Sequence, residues 1–280
     1  MNDPESAAGQ VDVPFAFVEL PPERSQVKPR RKGLTMVVDF GLPYRHAEDV
    51  LDTSGAYIDL MKIAVGTSRL YPLDKLRRKL ALYEKYGAKP FLGGQFQEYV
   101  YAMLGAKALP AFLREARRVG FDAVEVSDNC VPLSDAQRSD QIRLARDCGL
   151  AVFGEVGSKE MKTNASVLIA QAETCFRAGC ELVLVEAAEL MHNGRPKLGL
   201  IKSLRNALDL AKVLIELPGP WISGVTLSAI EDMKKFLVRE FGPDVNIANV
   251  MPHDVMETEA LRVGLGVVGP TRLHHAEDRI

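Results

Sequence analysis

Four glutamates recur at nearly equal spacing in the second half of the chain, at Glu125, Glu155, Glu186 and Glu216. Each lies near the end of a short apolar run of the kind that forms a buried strand. Clustered carboxylates repel one another and raise one another's pKa unless a cation compensates. Hard divalent ions such as Mg²⁺ bind carboxylate oxygens and keep open positions for substrate and water. We therefore predict that the four glutamates bind a metal ion; pairing with Lys or Arg, or exposure to water, is the alternative for any single one.

Three charged residues near the predicted strand ends are candidates for catalysis. Lys62 lies inside a hydrophobic run, where an unpaired ammonium group is costly. It either forms a structural ion pair with Asp39 or a glutamate, or anchors the substrate or donates a proton. Lys159 follows Glu155 closely and either reaches the same site or faces solvent.

Two glycine-containing turns could bind an anionic group through their backbone N–H groups. The first is Gly66-Thr67-Ser68 and the second is Gly93-Gly94. Exposed backbone N–H groups can hold an anionic oxygen. The alternative is that these glycines serve turn geometry only.

Short β-branched runs alternate with longer amphipathic stretches from residue 34 onward, which is typical of parallel strands joined by helices. Eight strands are predicted, at residues 34–39, 58–64, 90–93, 123–127, 151–156, 182–186, 213–217 and 245–249. Helices are predicted at residues 73–86, 108–119, 135–148, 167–178 and 227–241. An open doubly wound sheet is the alternative, but neither a Gly-x-Gly-x-x-Gly motif after the first strand nor a Walker phosphate loop is present. We therefore predict an α/β fold, a single (β/α)8 TIM barrel whose strand ends carry the site.

Length and composition set the outer limits of this prediction. The 280 residues, 47% of them hydrophobic, can form one large core, and the net charge of −2 provides no broad basic surface for nucleic acid or an anionic membrane. We predict an N-terminal arm at residues 1–30, flexible or packed on a neighbour, a barrel at 31–268 and a tail at 269–280. Without a secretion signal or an apolar run of ~20 residues, a cytoplasmic protein is expected, and the arm makes a homo-oligomer plausible.

Residues from about 32 to 266 resemble one known family, the phosphosulfolactate synthases of coenzyme M biosynthesis. The segments that carry the resemblance are 33–43, 57–68, 93–99, 120–128, 155–157 and 241–249. The resemblance implies a Mg²⁺-dependent barrel that adds sulfite to C3 of phosphoenolpyruvate, a small carboxylate, and gives 2-phospho-3-sulfolactate. Within and beyond these segments we also assign Asn246, Asn249 and Arg262 to substrate binding.

The sequence departs from the family pattern mainly at positions where the family has a cationic residue. Phe40, Ser158 and Ala188 stand where the family has lysine, lysine and arginine, and residues 262–268 lack most of the family's arginines. Pro218-Gly219-Pro220-Trp221 replaces a glutamine-rich segment. Each lost charge-assisted hydrogen bond to a phosphate is worth roughly 1.5 to 3 kcal/mol. Three hypotheses follow: the family reaction, a divergent C–S or C–C lyase acting on a less charged carboxylate by enolate chemistry, and a non-catalytic binding barrel.

Overall fold

Eight parallel strands close into a barrel in the computed structural model, which describes residues 13–157, 164–192 and 195–266. The barrel strands follow one another in chain order, and the last pairs with the first. The predicted (β/α)8 barrel is therefore confirmed. Every helix in the described ranges is too short or too polar to span a lipid bilayer.

The strands are β1 (Thr35–Asp39), β2 (Leu60–Ile63), β3 (Lys89–Leu92), β4 (Ala123–Val126), β5 (Ala151–Val156), β6 (Leu182–Glu186), β7 (Met191–His192), β8 (Arg195–Pro196), β9 (Val213–Glu216) and β10 (Ile247–Val250). The strands β7 and β8 form a separate antiparallel pair. The helices are α1 (Tyr44–Ser54), α2 (Leu73–Lys85), α3 (Gly94–Leu104), α4 (Leu109–Val119), α5 (Asp135–Asp147), α6 (Ala165–Ala178), α7 (Leu198–Ala207), α8 (Leu227–Phe241) and α9 (Val255–Arg262). The five predicted helices correspond to α2, α4, α5, α6 and α8.

The barrel interior is built in layers of inward-facing side chains. One layer is apolar and consists of Met36, Leu60, Phe91, Ala123, Phe153, Leu184, Leu214 and Ala248. Because side chains alternate along a strand, the inward residue two positions further along each strand belongs to the next layer. That layer contains Val38, Lys62, Gly93, Glu125, Glu155, Glu186 and Glu216. The carboxyl ends of the strands therefore carry a layer of charge above an apolar floor.

Part of the predicted N-terminal arm packs against the amino ends of the strands of its own barrel. The buried guanidinium of Arg24 donates to both carboxylate oxygens of Glu259 at 2.8 Å and to Asp244 at 3.2 Å. Arg30 forms an ion pair of 2.9 Å with Asp59. The described part of the arm is thus held to its own barrel by buried charges.

Two more buried polar residues belong to the same end of the barrel. Asn246 accepts from the backbone N–H of Leu34 at 2.8 Å and donates to the carbonyls of three residues just before and within β9. The guanidinium of Arg262 donates to the carbonyls of Pro243 and Val245, at 2.8 and 2.5 Å. Both side chains satisfy backbone groups that the ends of the strands leave open.

Asp39 lies at the end of β1, on the outer side of the barrel wall. Its carboxylate pairs with Lys79 of α2 at 2.5 Å and accepts from the Tyr83 hydroxyl at 2.7 Å. The backbone N–H groups of Gly41 and Leu42 donate to its other oxygen. Burial, together with the interaction with this carboxylate, raises the pKa of Tyr83. Asp39 thus fastens α2 and the loop after β1 to the barrel.

We expect Lys79→Met to lower the free energy of unfolding by about 3 to 5 kcal/mol, since it leaves a buried carboxylate without its cation. Lys75→Met, on the same helix, is the matched control, because Lys75 forms only an exposed pair of 3.5 Å with Asp74. The control should change the stability by at most about 1 kcal/mol. Urea unfolding at pH 7 measures both, and equal effects would show that the buried pair has no special role.

Candidate active site

A cavity of about 260 Å³ opens at the carboxyl ends of the barrel strands. It is lined by Val38, Phe40, Lys62, Ala64, Val65, Gly93, Gln95, Glu125, Asn129, Glu155, Glu216, Trp221, Ile222 and Asn249. Most of these residues come from the charged layer or from the loops that directly follow the strands. This is the end of the barrel at which such folds place their active sites.

Three buried carboxylates and one ammonium group form the charged part of the cavity. Glu125, Glu155 and Glu216 each offer an oxygen atom, and the three oxygens lie within 4.8 Å of one another. The Nζ atom of Lys62 lies 2.7 Å from Glu125 and 3.2 Å from Glu216. Strands β2, β4, β5 and β9 thus each contribute one charged group to the same point in the barrel.

The electrostatics of this cluster follow from burial and from the short distances. Burial alone works to lower the pKa of Lys62, but the neighbouring carboxylates of Glu125 and Glu216 outweigh it and raise the pKa above its usual value. Lys62 therefore stays protonated. Burial raises the pKa of Glu125 to about 8, and the Glu155 and Glu216 carboxylates add to that rise while Lys62 opposes it.

Backbone and side-chain donors orient two of the three carboxylates. The N–H of Gly94, in the first turn of α3, donates to Oε1 of Glu125 at 3.0 Å. A side chain at Gly94 would collide with the Ser127 hydroxyl, so only glycine lets α3 begin this close to β4. The amide of Asn129 donates to Oε1 of Glu155 at 2.7 Å.

The mouth of the cavity has an apolar side. The rings of Phe40 and Trp221 lie 5.2 Å apart between their centroids, tilted at 48°. Both remain part-exposed, at 42% and 39%. Val38 and Ile222 extend this surface. A substrate that enters the cavity therefore meets aromatic and aliphatic groups on one side and carboxylates on the other.

The donor set of the carboxylate cluster fits a hard divalent cation. Carboxylate oxygens are the ligands that such ions prefer, and octahedral Mg²⁺ places opposite ligand atoms roughly 4 Å apart. The three oxygens already lie close to that range. With all groups ionised, three carboxylates and one ammonium carry a charge of −2, which a divalent cation would neutralise.

The structure brings together seven of the fifteen residues that the sequence assigned to the site. Lys62, Glu125, Glu155, Glu216, Gly93 and Asn249 line the cavity, and Gly94 lies directly behind it. Glu186 is buried in the same layer but is not one of the three clustered carboxylates. The ion pair of Lys62 is with glutamates and not with Asp39.

Gly66, Thr67 and Ser68 begin a short 3-10 turn after β2, next to the cavity residues Ala64 and Val65. The hydroxyl of Thr67 donates to the Ala64 carbonyl, so it serves the turn. Lys159 lies outside the described residues.

Three predictions are corrected. Asp39, predicted to be catalytic, points out of the barrel toward Lys79 because side chains alternate along β1 and Val38 takes the inward position. Asn246 and Arg262, predicted to bind substrate, lie at the opposite end of the barrel and satisfy backbone carbonyls. Gln95 and Asn129 also line the cavity but are not among the predicted site residues, and their only signal in the sequence is their position shortly after a strand.

Comparison with known proteins shows the family of this chain. Residues 23–267 match the (2R)-phospho-3-sulfolactate synthase (ComA) family. The phosphosulfolactate synthase of Methanocaldococcus jannaschii is 31% identical over 246 residues, which cover 84% of this chain and 92% of that protein. The enzyme of the same name from Methanothermobacter thermautotrophicus is 29% identical over 263 residues, covering 89% and 95%.

A third relative, the phosphosulfolactate synthase of Bacillus subtilis, is 26% identical over 250 residues and covers 85% of this chain and 92% of its own. All three similarities extend over nearly the whole barrel. The chain therefore belongs to the (2R)-phospho-3-sulfolactate synthase family of enzymes.

Proposed function

We propose that this protein catalyses the Mg²⁺-dependent addition of sulfite to phosphoenolpyruvate, giving 2-phospho-3-sulfolactate. The observation that carries the proposal is the cluster of Glu125, Glu155 and Glu216 around Lys62 in the cavity. Family membership points to the same reaction.

The reaction requires little activation of the nucleophile, so catalysis depends mainly on the site. The sulfur lone pair of sulfite forms the new C–S bond at C3, and the π electrons of the C2–C3 bond move toward C2 and the C1 carboxylate. A proton then adds at C2, so the step needs no oxidant or reductant. The enzyme must therefore stabilise the negative charge that develops at C1 and C2 and deliver one proton.

A hard divalent cation held by Glu125, Glu155 and Glu216 would supply positive charge beside the substrate carboxylate. Lys62 contributes a second positive charge at the same point, because its raised pKa keeps it protonated. An ammonium group is a far stronger acid than the C–H group that forms at C2, so this raised pKa does not prevent proton transfer. We assign Lys62 as the proton donor, with Lys159 as the alternative.

A second function is favoured by the apolar side of the cavity. Among the described residues that line it, Lys62 is the one cation, and it is already paired with two glutamates. Phe40 and Trp221 offer no charge to a phosphate. These contacts suit an acceptor that keeps the carboxylate but carries an uncharged group in place of the phosphate. The same enolate chemistry would then act on a less charged 2-enoate.

The two functions are separated by one turnover experiment. We expect the purified protein with Mg²⁺, sulfite and phosphoenolpyruvate to form the sulfonated product, detected by mass spectrometry, and EDTA to abolish it. A parallel reaction with 2-methylacrylate, corrected for the uncatalysed addition of sulfite, tests the second function. Product from the acrylate alone would favour the divergent enzyme, and no product from either, with folded metal-loaded protein, would contradict both.

Glu155→Gln should reduce metal-dependent turnover by at least about 100-fold, because it removes one charged ligand from the cluster. The fold should be retained, since the amide oxygen can still accept from Asn129. Glu181→Gln is the control, because Glu181 forms only a surface pair with Lys89. Turnover and thermal unfolding are measured for both variants, and full activity in Glu155→Gln would remove it from the site.

Lys62→Met should lower kcat by roughly 10²- to 10⁴-fold if Lys62 donates the proton. Lys62→Arg is the matched variant, because it keeps a positive charge between Glu125 and Glu216 but replaces the compact Nζ by a planar guanidinium, which does not place a proton at the same point. Thermal unfolding and kcat are measured for both. Recovery of stability but not of kcat in the arginine variant supports proton donation, whereas recovery of both would assign Lys62 to the ion pair alone.

A further inference from the structure

Glu98 is a buried carboxylate of α3 that does not line the cavity. It accepts three hydrogen bonds, and all three come from residues 127–131, the first five residues of the loop between β4 and α5. The donors are the hydroxyl of Ser127 and the backbone N–H groups of Cys130 and Val131, the latter two at 2.6 and 3.0 Å. One side chain thus holds both ends of this five-residue segment.

The middle of this segment is Asn129, whose amide donates to Glu155 at 2.7 Å. Asn129 is exposed to the cavity, so packing around its side chain does little to fix its position. Its orientation depends on the backbone on either side, which is the part of the chain that Glu98 holds. Glu98 is therefore linked to Glu155 through a continuous series of short contacts.

A second buried charge holds the loop from its other side. Arg138 of α5 donates to Asp128 at 2.5 Å and to the backbone carbonyl of Glu155 at 2.8 Å. The loop is thus fixed between an anion on α3 and a cation on α5. Hydrogen bonds to ionised groups are shorter and stronger than those between neutral groups, so both anchors resist displacement of Asn129.

We propose that Glu98 is a positioning residue that sets the orientation of Glu155 through Asn129, and thereby tunes the affinity of the site for a divalent cation. The inference rests on the proposed function, in which Glu155 binds that cation. Groups that hydrogen-bond to a metal ligand commonly change metal affinity by 10- to 100-fold when they are removed. Glu98 acts indirectly, by positioning Asn129, the residue that hydrogen-bonds to Glu155.

The test is a double-mutant cycle on metal affinity, with Mn²⁺ as the probe and its electron paramagnetic resonance signal as the readout. We expect Glu98→Gln and Asn129→Ala each to weaken Mn²⁺ binding by about 10-fold. Because both act through one contact, the double variant should be weaker by about 10-fold and not 100-fold. Glu259→Gln is the control: it removes a buried charge at the opposite end of the barrel and should lower the melting temperature without changing the affinity.

The possible outcomes separate this inference from the proposed function. Absence of Mn²⁺ binding in the unchanged protein would overturn the proposed function and this inference with it. Unchanged affinity in Glu98→Gln, or losses that multiply in the double variant, would overturn the inference alone. If Glu98→Gln does not fold, Ser127→Ala removes one of the three contacts and should give a smaller loss, which should vanish when Asn129 is already replaced.

Discussion

The active end of the barrel depends on the ion pairs that the ammonium group of Lys62 forms with the buried carboxylates. Three buried carboxylates meet there, and their mutual repulsion would force protonation or separation without a cation between them. The surrounding backbone makes room for this arrangement. A side chain at Gly93 would press against the Lys62 stem and the Ile63 carbonyl, and a side chain at Gly94 would approach Glu125. Two consecutive glycines thus let four charges share a small volume.

The parts of this arrangement that the sequence predicted are those governed by strand periodicity. Strand number, the barrel and the inward glutamates follow from short apolar runs that end in acidic residues. The partner of Lys62 cannot be predicted in this way, because its ion pair with Glu216 joins residues 154 positions apart and exists only once the barrel is closed. A sequence cannot show that Lys79 is the partner of Asp39, since that depends on how α2 packs against β1.

The differences between the predicted and the observed site have two physical origins. Asn246 directly precedes β10 and Arg262 ends α9, and both positions belong to the opposite end of the barrel from residues that directly follow a strand. Asn129 was missed because loop residues have no periodicity to reveal which way they point. The closed end of the cavity is therefore set by the strands, whereas the mouth, with Phe40 and Trp221, is set by loops that can change while the fold stays the same.

The contacts at the amino ends of the strands also constrain when the molecule can form. Arg24 lies near the start of the described chain, yet its partners Asp244 and Glu259 are more than 200 residues later. Leu34 likewise relies on Asn246 for its N–H group. During synthesis on the ribosome, one edge of the first strand has no hydrogen-bonding partner until almost the whole chain has emerged. Arg24 likewise has no carboxylate partner during that time. Closure of the barrel is therefore a late event for the nascent polypeptide, and the early segments are the ones that need protection from aggregation in the interval.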